Sequence, residues 1–177
     1  DARYADICGI SEQELKSYFD ESVKTLAEMN GLSEEECYKK LASMYDGYHF
    51  HYKSQGIYNP FSLLNTFNAY EFRMYWLETR TTTFLVRYLK QGNYNLDNIS
   101  RNDFSVETLT EVNYVSPAPI TLMYQAGYLT IKDFNPDFFT YKLDYPNVEV
   151  KRGFMHSLSQ LFAPALIYGE LSVYQFI

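Results

Sequence analysis

The sequence predicts a mostly helical α+β protein: a helical bundle carrying a small β-hairpin, followed by a winged-helix-like module. Three observations carry this. Two Ser-x-x-Glu boxes each open an apolar run at helical spacing. The period then drops to two residues over Tyr48–Tyr52. From residue 117 onward, helix, two-stranded hairpin and helix follow in order.

In the first box, Ser11 caps an early amide and Glu14 reaches back. Leu15, Tyr18, Phe19, Val23, Leu26 and Ala27 then recur as one helical face, and Asn30-Gly31 closes the helix. The second box, Ser33 to Glu36, opens a helix with Cys37, Tyr38, Leu41, Met44 and Tyr45 on one face. Asp46-Gly47 stops it. Tyr48, Phe50 and Tyr52 alternate with His49 and His51, as in a half-buried strand. Residues 53–56 read as a turn and Ile57-Tyr58 as the start of a return strand. Asn59-Pro60 supplies an N-cap and a first-turn proline for a helix through Phe61, Leu64 and Phe67. Thr81–Gln91, with Phe84, Leu85, Tyr88 and Leu89, is a further amphipathic helix.

Residues 92–116 are polar, with a short helical piece near Val106–Glu111, and mark the internal boundary. Pro117–Ala126 is expected to be helical, with Ile120, Met123 and Tyr124 inward, ending at Gly127. Tyr128–Lys132 and Phe138–Leu143 then read as strands joined by a five-residue turn, residues 133–137. A helix through Phe154, Leu158, Leu161 and Phe162 follows.

Composition narrows the function. The 177 residues are 46% hydrophobic and 21% charged, which excludes wholesale disorder. No apolar run approaches the roughly 18 residues of a membrane span, and the first residues lack a signal-peptide pattern. Cys8 and Cys37 have no C-x-x-C partner and read as free thiols, so the chain is expected to be soluble and cytoplasmic. Of the net charge of −7, residues 1–46 carry −6, with 11 acidic against 5 basic side chains. Aromatics are abundant, with 18 Tyr and 13 Phe.

No G-x-x-x-x-G-K-[ST] loop is present, so the chain itself has no P-loop cradle for nucleotide. His49 and His51 share a strand side, but no third ligand is fixed, and no metal site is expected. Glu149-Val150-Lys151 matches the second half of a PD-(D/E)xK nuclease site, which would hold Mg²⁺. Its companion carboxylate should end a preceding strand. Asp144 lies only five residues upstream with Tyr145-Pro146-Asn147 between, so a divergent nuclease is the weakest of the readings. Residues 117–156 hold four basic and four acidic side chains, a neutral surface poorly suited to phosphate. Protein contact through the hairpin is therefore favoured over nucleic acid.

Six ordered segments resemble one family. They are Cys8–Leu15, Tyr45-Asp46-Gly47-Tyr48-His49-Phe50 (YDGYxF), Tyr58-Asn59-Pro60-Phe61-Ser62-Leu63-Leu64 (YNPFSLL), Tyr75–Thr79 with Phe84-Leu85, Gln125–Ile131, and Leu143–Val150. They are similar to the bacterial AAA-ATPase-like proteins, which often carry a C-terminal PD-(D/E)XK nuclease-like domain. Thr79-Arg80-Thr81-Thr82-Thr83 departs from the family's Thr-Gly-Thr-Pro-Thr, losing a Gly and a Pro that shape a turn.

The resemblance implies that a P-loop core precedes this region and a nuclease-like domain follows it. Residues 1–112 would be the lid-like helical part of the ATPase and 113–163 the winged-helix-like module. Residues 164–177 would start the connection to a further domain. No catalytic residue, metal or cofactor is expected in this piece. ATP and Mg²⁺ are implied only for the full-length parent, and the partners are its ATPase core and nuclease-like domain, with no membrane. The motif residues are Tyr45, Asp46, Gly47, Tyr48, Phe50, Tyr58, Asn59 and Pro60, and their expected roles are mainly structural. Arg80 and Arg87 are candidate nucleotide sensors, by analogy with lid arginines that face a terminal phosphate. The alternative reading is a module that binds protein or nucleic acid through the hairpin.

Overall fold

A computed structural model describes residues 8–78, 81–91, 103–110 and 118–162. It is a mostly helical α+β structure with one small antiparallel sheet. No helix among the described residues is long and apolar enough to cross a membrane.

Both capping boxes form. Ser11 opens α1 (Glu12–Tyr18) and Ser33 opens α3 (Glu34–Tyr45), each with its Glu returning to the cap amide. The single helix expected after Ser11 is instead two. Phe19 leaves helical geometry at φ −121° and stacks on Phe67 at 5.6 Å, so α2 (Asp20–Asn30) starts afresh. This break leaves Tyr18, expected inward, 79% exposed. Gly31, at φ 64°, ends α2 in the left-handed conformation that glycine adopts without steric cost.

The expected strand over Tyr48–Tyr52 reduces to isolated bridges, Tyr48 with Ile57 and Ile10 with Tyr58. Two contacts compete with a ladder. The Ser54 amide donates to the His51 carbonyl at 2.9 Å, closing a turn, and the Tyr52 ring packs on Phe134 at 4.6 Å. Asn59 then caps α4 (Pro60–Ala69) by accepting from the Phe61 and Ser62 amides. The buried face of α4 is not the expected Phe61–Leu64–Phe67 line. Ser62, Leu63, Thr66 and Phe67 are inside, while Phe61 and Leu64 are about half exposed. A 3₁₀ turn follows at Tyr75–Glu78, then α5 (Thr81–Gln91), which buries Leu85, Val86 and Leu89 and leaves Phe84 exposed.

An unpredicted strand, β1 (Asp103–Ser105), precedes α6 (Val106–Thr110) and α7 (Pro119–Gln125). The turn sits further along the chain than expected: the first strand runs three residues past Lys132 and the second starts at Thr140 and not at Phe138. β2 (Thr130–Asn135) and β3 (Thr140–Asp144) enclose residues 136–139, because the Asn135 side chain accepts from the Asp137 amide and fixes the turn there. The sheet order is β1-β3-β2, all antiparallel, with a bulge between Ile131 and Asp133. α8 (Val148–Phe162) closes the described chain. From α5 onward, helix, strand, two helices and hairpin, with the first strand against the last, give the winged-helix-like order. That unit takes in α5, β1 and α6, which lie before the boundary expected at 112/113, because β1 needs β3 for its hydrogen bonds.

Two apolar cores result. One gathers Leu15, Val23, Leu26, Cys37, Leu41, Tyr45, Leu63 and Tyr75 from α1 to α4 and the 3₁₀ turn. The other gathers Leu85, Leu89, Leu109, Met123, Tyr128, Leu143, Val150 and Phe154. Cys8 is exposed, Cys37 is buried, and both are free thiols. Burial pushes the Cys37 thiol pKa up.

Candidate functional site at the junction of the two cores

The YDGYHF segment begins in one core and ends against the other. Tyr45, fully buried at the end of α3, donates to the Arg73 carbonyl at 2.9 Å and accepts from the Arg73 amide at 3.1 Å. Burial pushes its phenol pKa up to about 12. Its carbonyl accepts from the Asn59 amide at 2.9 Å, so YDGYHF and YNPF are joined directly. Asp46 accepts from the Gly47 amide at 2.6 Å, and burial raises its carboxyl pKa.

Gly47 is the tightest point. It sits at φ 96°, and a Cβ there would lie 2.2 Å from the Pro146 carbonyl oxygen. Only glycine combines that backbone with that approach. The Lys132 ammonium donates to both carbonyls of this contact, Gly47 at 3.3 Å and Pro146 at 3.2 Å. Burial lowers the Lys132 pKa, against the pull of Asp144 and Asp46. The Asn147 side chain donates to the Asp46 carbonyl at 3.0 Å and accepts from the Val150 amide at 3.0 Å, capping α8 while holding the loop. The His49 amide and carbonyl both bond the Thr130 hydroxyl, at 2.7 and 3.0 Å.

Glu149 completes the junction. It is fully buried in the first turn of α8, accepting from the Ser62 hydroxyl at 2.7 Å and the Trp76 amide at 2.9 Å. Burial raises its pKa, opposed by the hydrogen bonds from Trp76, Ser62 and Tyr75. Ser62 is inside α4 for this reason. Glu149 and Lys151 therefore share a helix, one buried and one exposed, and the two-strand geometry of a PD-(D/E)xK site is not formed.

The motif residues are thus brought together, but as a clasp. Tyr48 is packed against the second core, and burial pushes its phenol pKa up, with the Asn59 side chain opposing. Tyr58 is buried and exchanges backbone hydrogen bonds with Ile10. Tyr48, Phe50, Tyr58, Asn59 and Pro60 line a cavity of about 180 Å³ with Trp76 and Gly127. Phe50 is 53% exposed. His49 Nδ1 lies 3.0 Å from the Ser54 carbonyl, and His51 Nδ1 accepts from the Lys53 amide. Among the described residues no group of three or more His, Cys, Asp and Glu could hold a metal ion. Arg87 is exposed on α5 and the clasp bonds do not reach it; Arg80 lies outside the described residues.

Comparison with known proteins adds one relative. The chain is 34% identical over 169 residues to the "Uncharacterized protein in vnfD 5'region" of Azotobacter chroococcum mcd 1. The alignment takes in 93% of this chain but 30% of the relative, so the chain spans under a third of that protein's length. No protein-family profile matches the chain, and no solved structure does.

Sequence reasoning missed Lys132 and Ser62 as clasp residues, and Glu149 as the buried carboxylate of α8 that accepts from Ser62 and Trp76. Asn147 and Glu149 did carry a signal, since they fall within the Leu143–Val150 motif. Lys132 carried none, because a bulge in β2 decides where it falls.

Proposed function

We propose that this chain is the non-catalytic lid and winged-helix-like middle of a longer cytoplasmic P-loop ATPase, serving regulatory or interdomain contacts with the ATPase core and a C-terminal nuclease-like domain. The observation that supports this is the clasp: Tyr45, Asp46, Gly47, Tyr48 and Asn59 are engaged in joining two cores. The residues in hand do not fit an ATP–Mg²⁺ site. The sequence has no phosphate cradle, and the Asp46, Asp144 and Glu149 carboxylates accept from Gly47, Tyr145, and Ser62 with Trp76. No chemical step is assigned to this chain.

The test uses the full-length parent and this chain side by side. The chain alone is expected to hydrolyse no ATP. In the parent, Lys132→Met, which releases the Gly47 and Pro146 carbonyls while keeping the stem, should lower ATP turnover with nucleotide affinity unchanged. Arg87→Ala and Arg80→Ala test the sensor assignment in the same assay. Turnover by the isolated chain, or a parent indifferent to all three substitutions, overturns the reading.

A further inference from the structure

The hairpin tip carries an exposed aromatic surface that neither core uses. Phe138 is 76% exposed and Phe139 69%, on adjacent positions of the β2–β3 turn. Phe139 extends a chain of tilted and edge-on ring contacts. Phe134 lies 4.9 Å from Tyr141 and 6.4 Å from Phe139, and Tyr52 lies 4.6 Å from both Phe134 and His51. Unlike the exposed Tyr18 and Phe84, which stand on separate helices, these two rings are adjacent and form a contiguous exposed apolar patch, the kind of surface that marks an interaction site.

Backbone geometry makes the same point independently. Phe139 has φ 52°, a left-handed conformation that Gly or Asn takes freely and a bulky residue takes under strain. The sequence keeps an aromatic ring where both solubility and backbone geometry favour a small polar residue. Asn135, in the same turn, shows that polar turn chemistry is otherwise used here.

Charge selects the partner. Lys142 is paired in register with Asp103 on one side and Asp133 on the other, and Asp137 adds a carboxylate at the turn. Lys53 lies 5.4 Å over the Tyr52 ring, so three aspartates stand against two lysines, a small acidic excess that gives phosphate no cationic seat. α7, Pro119–Gln125, contains no basic residue either. Nucleic acid and anionic lipid are both disfavoured on electrostatic grounds.

From these observations we infer that the hairpin tip is a protein-docking element: Phe138 and Phe139 insert into an apolar pocket rimmed by Lys or Arg on a partner protein, with Asp133 and Asp137 facing that rim. The two rings are the anchors and the carboxylates set orientation and partner choice.

The probe is a short fluorescent amphipathic peptide of Leu and Lys, with a Leu/Glu peptide of the same pattern beside it, titrated with the whole chain by anisotropy. Binding of the Leu/Lys peptide alone is expected. It should weaken about ten-fold or more in Phe138→Ser/Phe139→Asn, and by a smaller factor in Asp133→Asn/Asp137→Asn. Phe139→Asn by itself should raise Tm by about 2 °C through relief of strain while lowering affinity. That opposition of signs is what a purely structural ring would not give. Unchanged Trp76 fluorescence verifies folding of each variant. Undiminished peptide binding by the double Phe variant overturns the proposal, as does a fall in Tm for Phe139→Asn. So do Phe138-dependent binding of oligo(dT) or phosphatidylglycerol vesicles, and Phe138-dependent self-association in sedimentation.

Discussion

The N-terminal helices and the winged-helix-like unit differ in how their sequence is converted into structure. In α1 to α3 the determinants are local. Ser11 and Glu14 or Ser33 and Glu36 meet three residues apart, and Lys16–Glu12, Lys24–Asp20 and Lys39–Glu35 pair one turn apart. In the winged-helix-like unit the determinants are distant. β1 pairs with β3 across some forty residues, and Glu149 reaches Ser62 and Trp76 from the far end of the chain. The acidic excess follows the same division, since it rides on the exposed faces of the locally specified helices. The lesson is that the joint between the regions is specified by buried polar groups, and is the point where single substitutions should do most damage.

Gly47→Ala is the strongest test of that contrast. A Cβ 2.2 Å from the Pro146 oxygen forces either the loop or the β3–α8 turn to move. With the strained φ added, about 3 kcal/mol or more of stability should be lost. Urea unfolding followed by Trp76 fluorescence and by far-ultraviolet circular dichroism should show the Trp76 transition falling first. Coincident shifts would show that the two cores form one cooperative unit.

Glu149→Ala comes next. It removes the carboxylate that accepts from the Ser62 hydroxyl and the Trp76 amide, at a cost of about 2–4 kcal/mol. Glu149→Gln keeps an acceptor for Trp76 and a donor for Ser62, so it should be much milder and should change the pH profile. Burial raises the Glu149 pKa, so the folded state binds its proton more tightly than the unfolded chain. The resulting stabilisation is full below the ordinary carboxylate range and is lost as pH rises through the raised value. The Gln variant should therefore gain on the wild type as pH rises from about 4 to about 7. A constant difference across that window would mean that Glu149 does not titrate abnormally.

Asn147→Ala removes both the bond to the Asp46 carbonyl and the cap on Val150, and should cost about 1–2 kcal/mol in thermal unfolding. The smallest effect belongs to the local region. Ser33→Ala should cost about 1 kcal/mol, shared between α3 and the whole fold, with the Trp76 environment untouched. If Ser33→Ala disturbs Trp76 as much as Asn147→Ala does, the division into local and distant determinants is wrong.

Much of the fold was legible from short-range chemistry. Caps at Ser11, Ser33 and Asn59, the Gly31 stop, and the order of helices around a hairpin all follow from groups that meet within one turn of chain. Periodicity misled where a ring or hydroxyl had a better partner elsewhere. Phe19 turned toward Phe67, and Ser62 went inward to Glu149 while Phe61 stayed out. The candidate site was legible as a set of motifs and illegible as a shape. YDGYHF, YNPF and the segment around Asn147 stand out in the sequence, but nothing in their spacing says that Gly47 touches Pro146.

Sequence alone determined the local elements, the charge division and the absence of a phosphate cradle, because each is fixed by residues close in the chain. Tertiary structure decided that β1 joins the sheet, that Glu149 is a buried acceptor on a helix, and that the motif loop is a clasp. Those outcomes depend on which distant groups can satisfy one another's hydrogen bonds out of water, and only packing settles that.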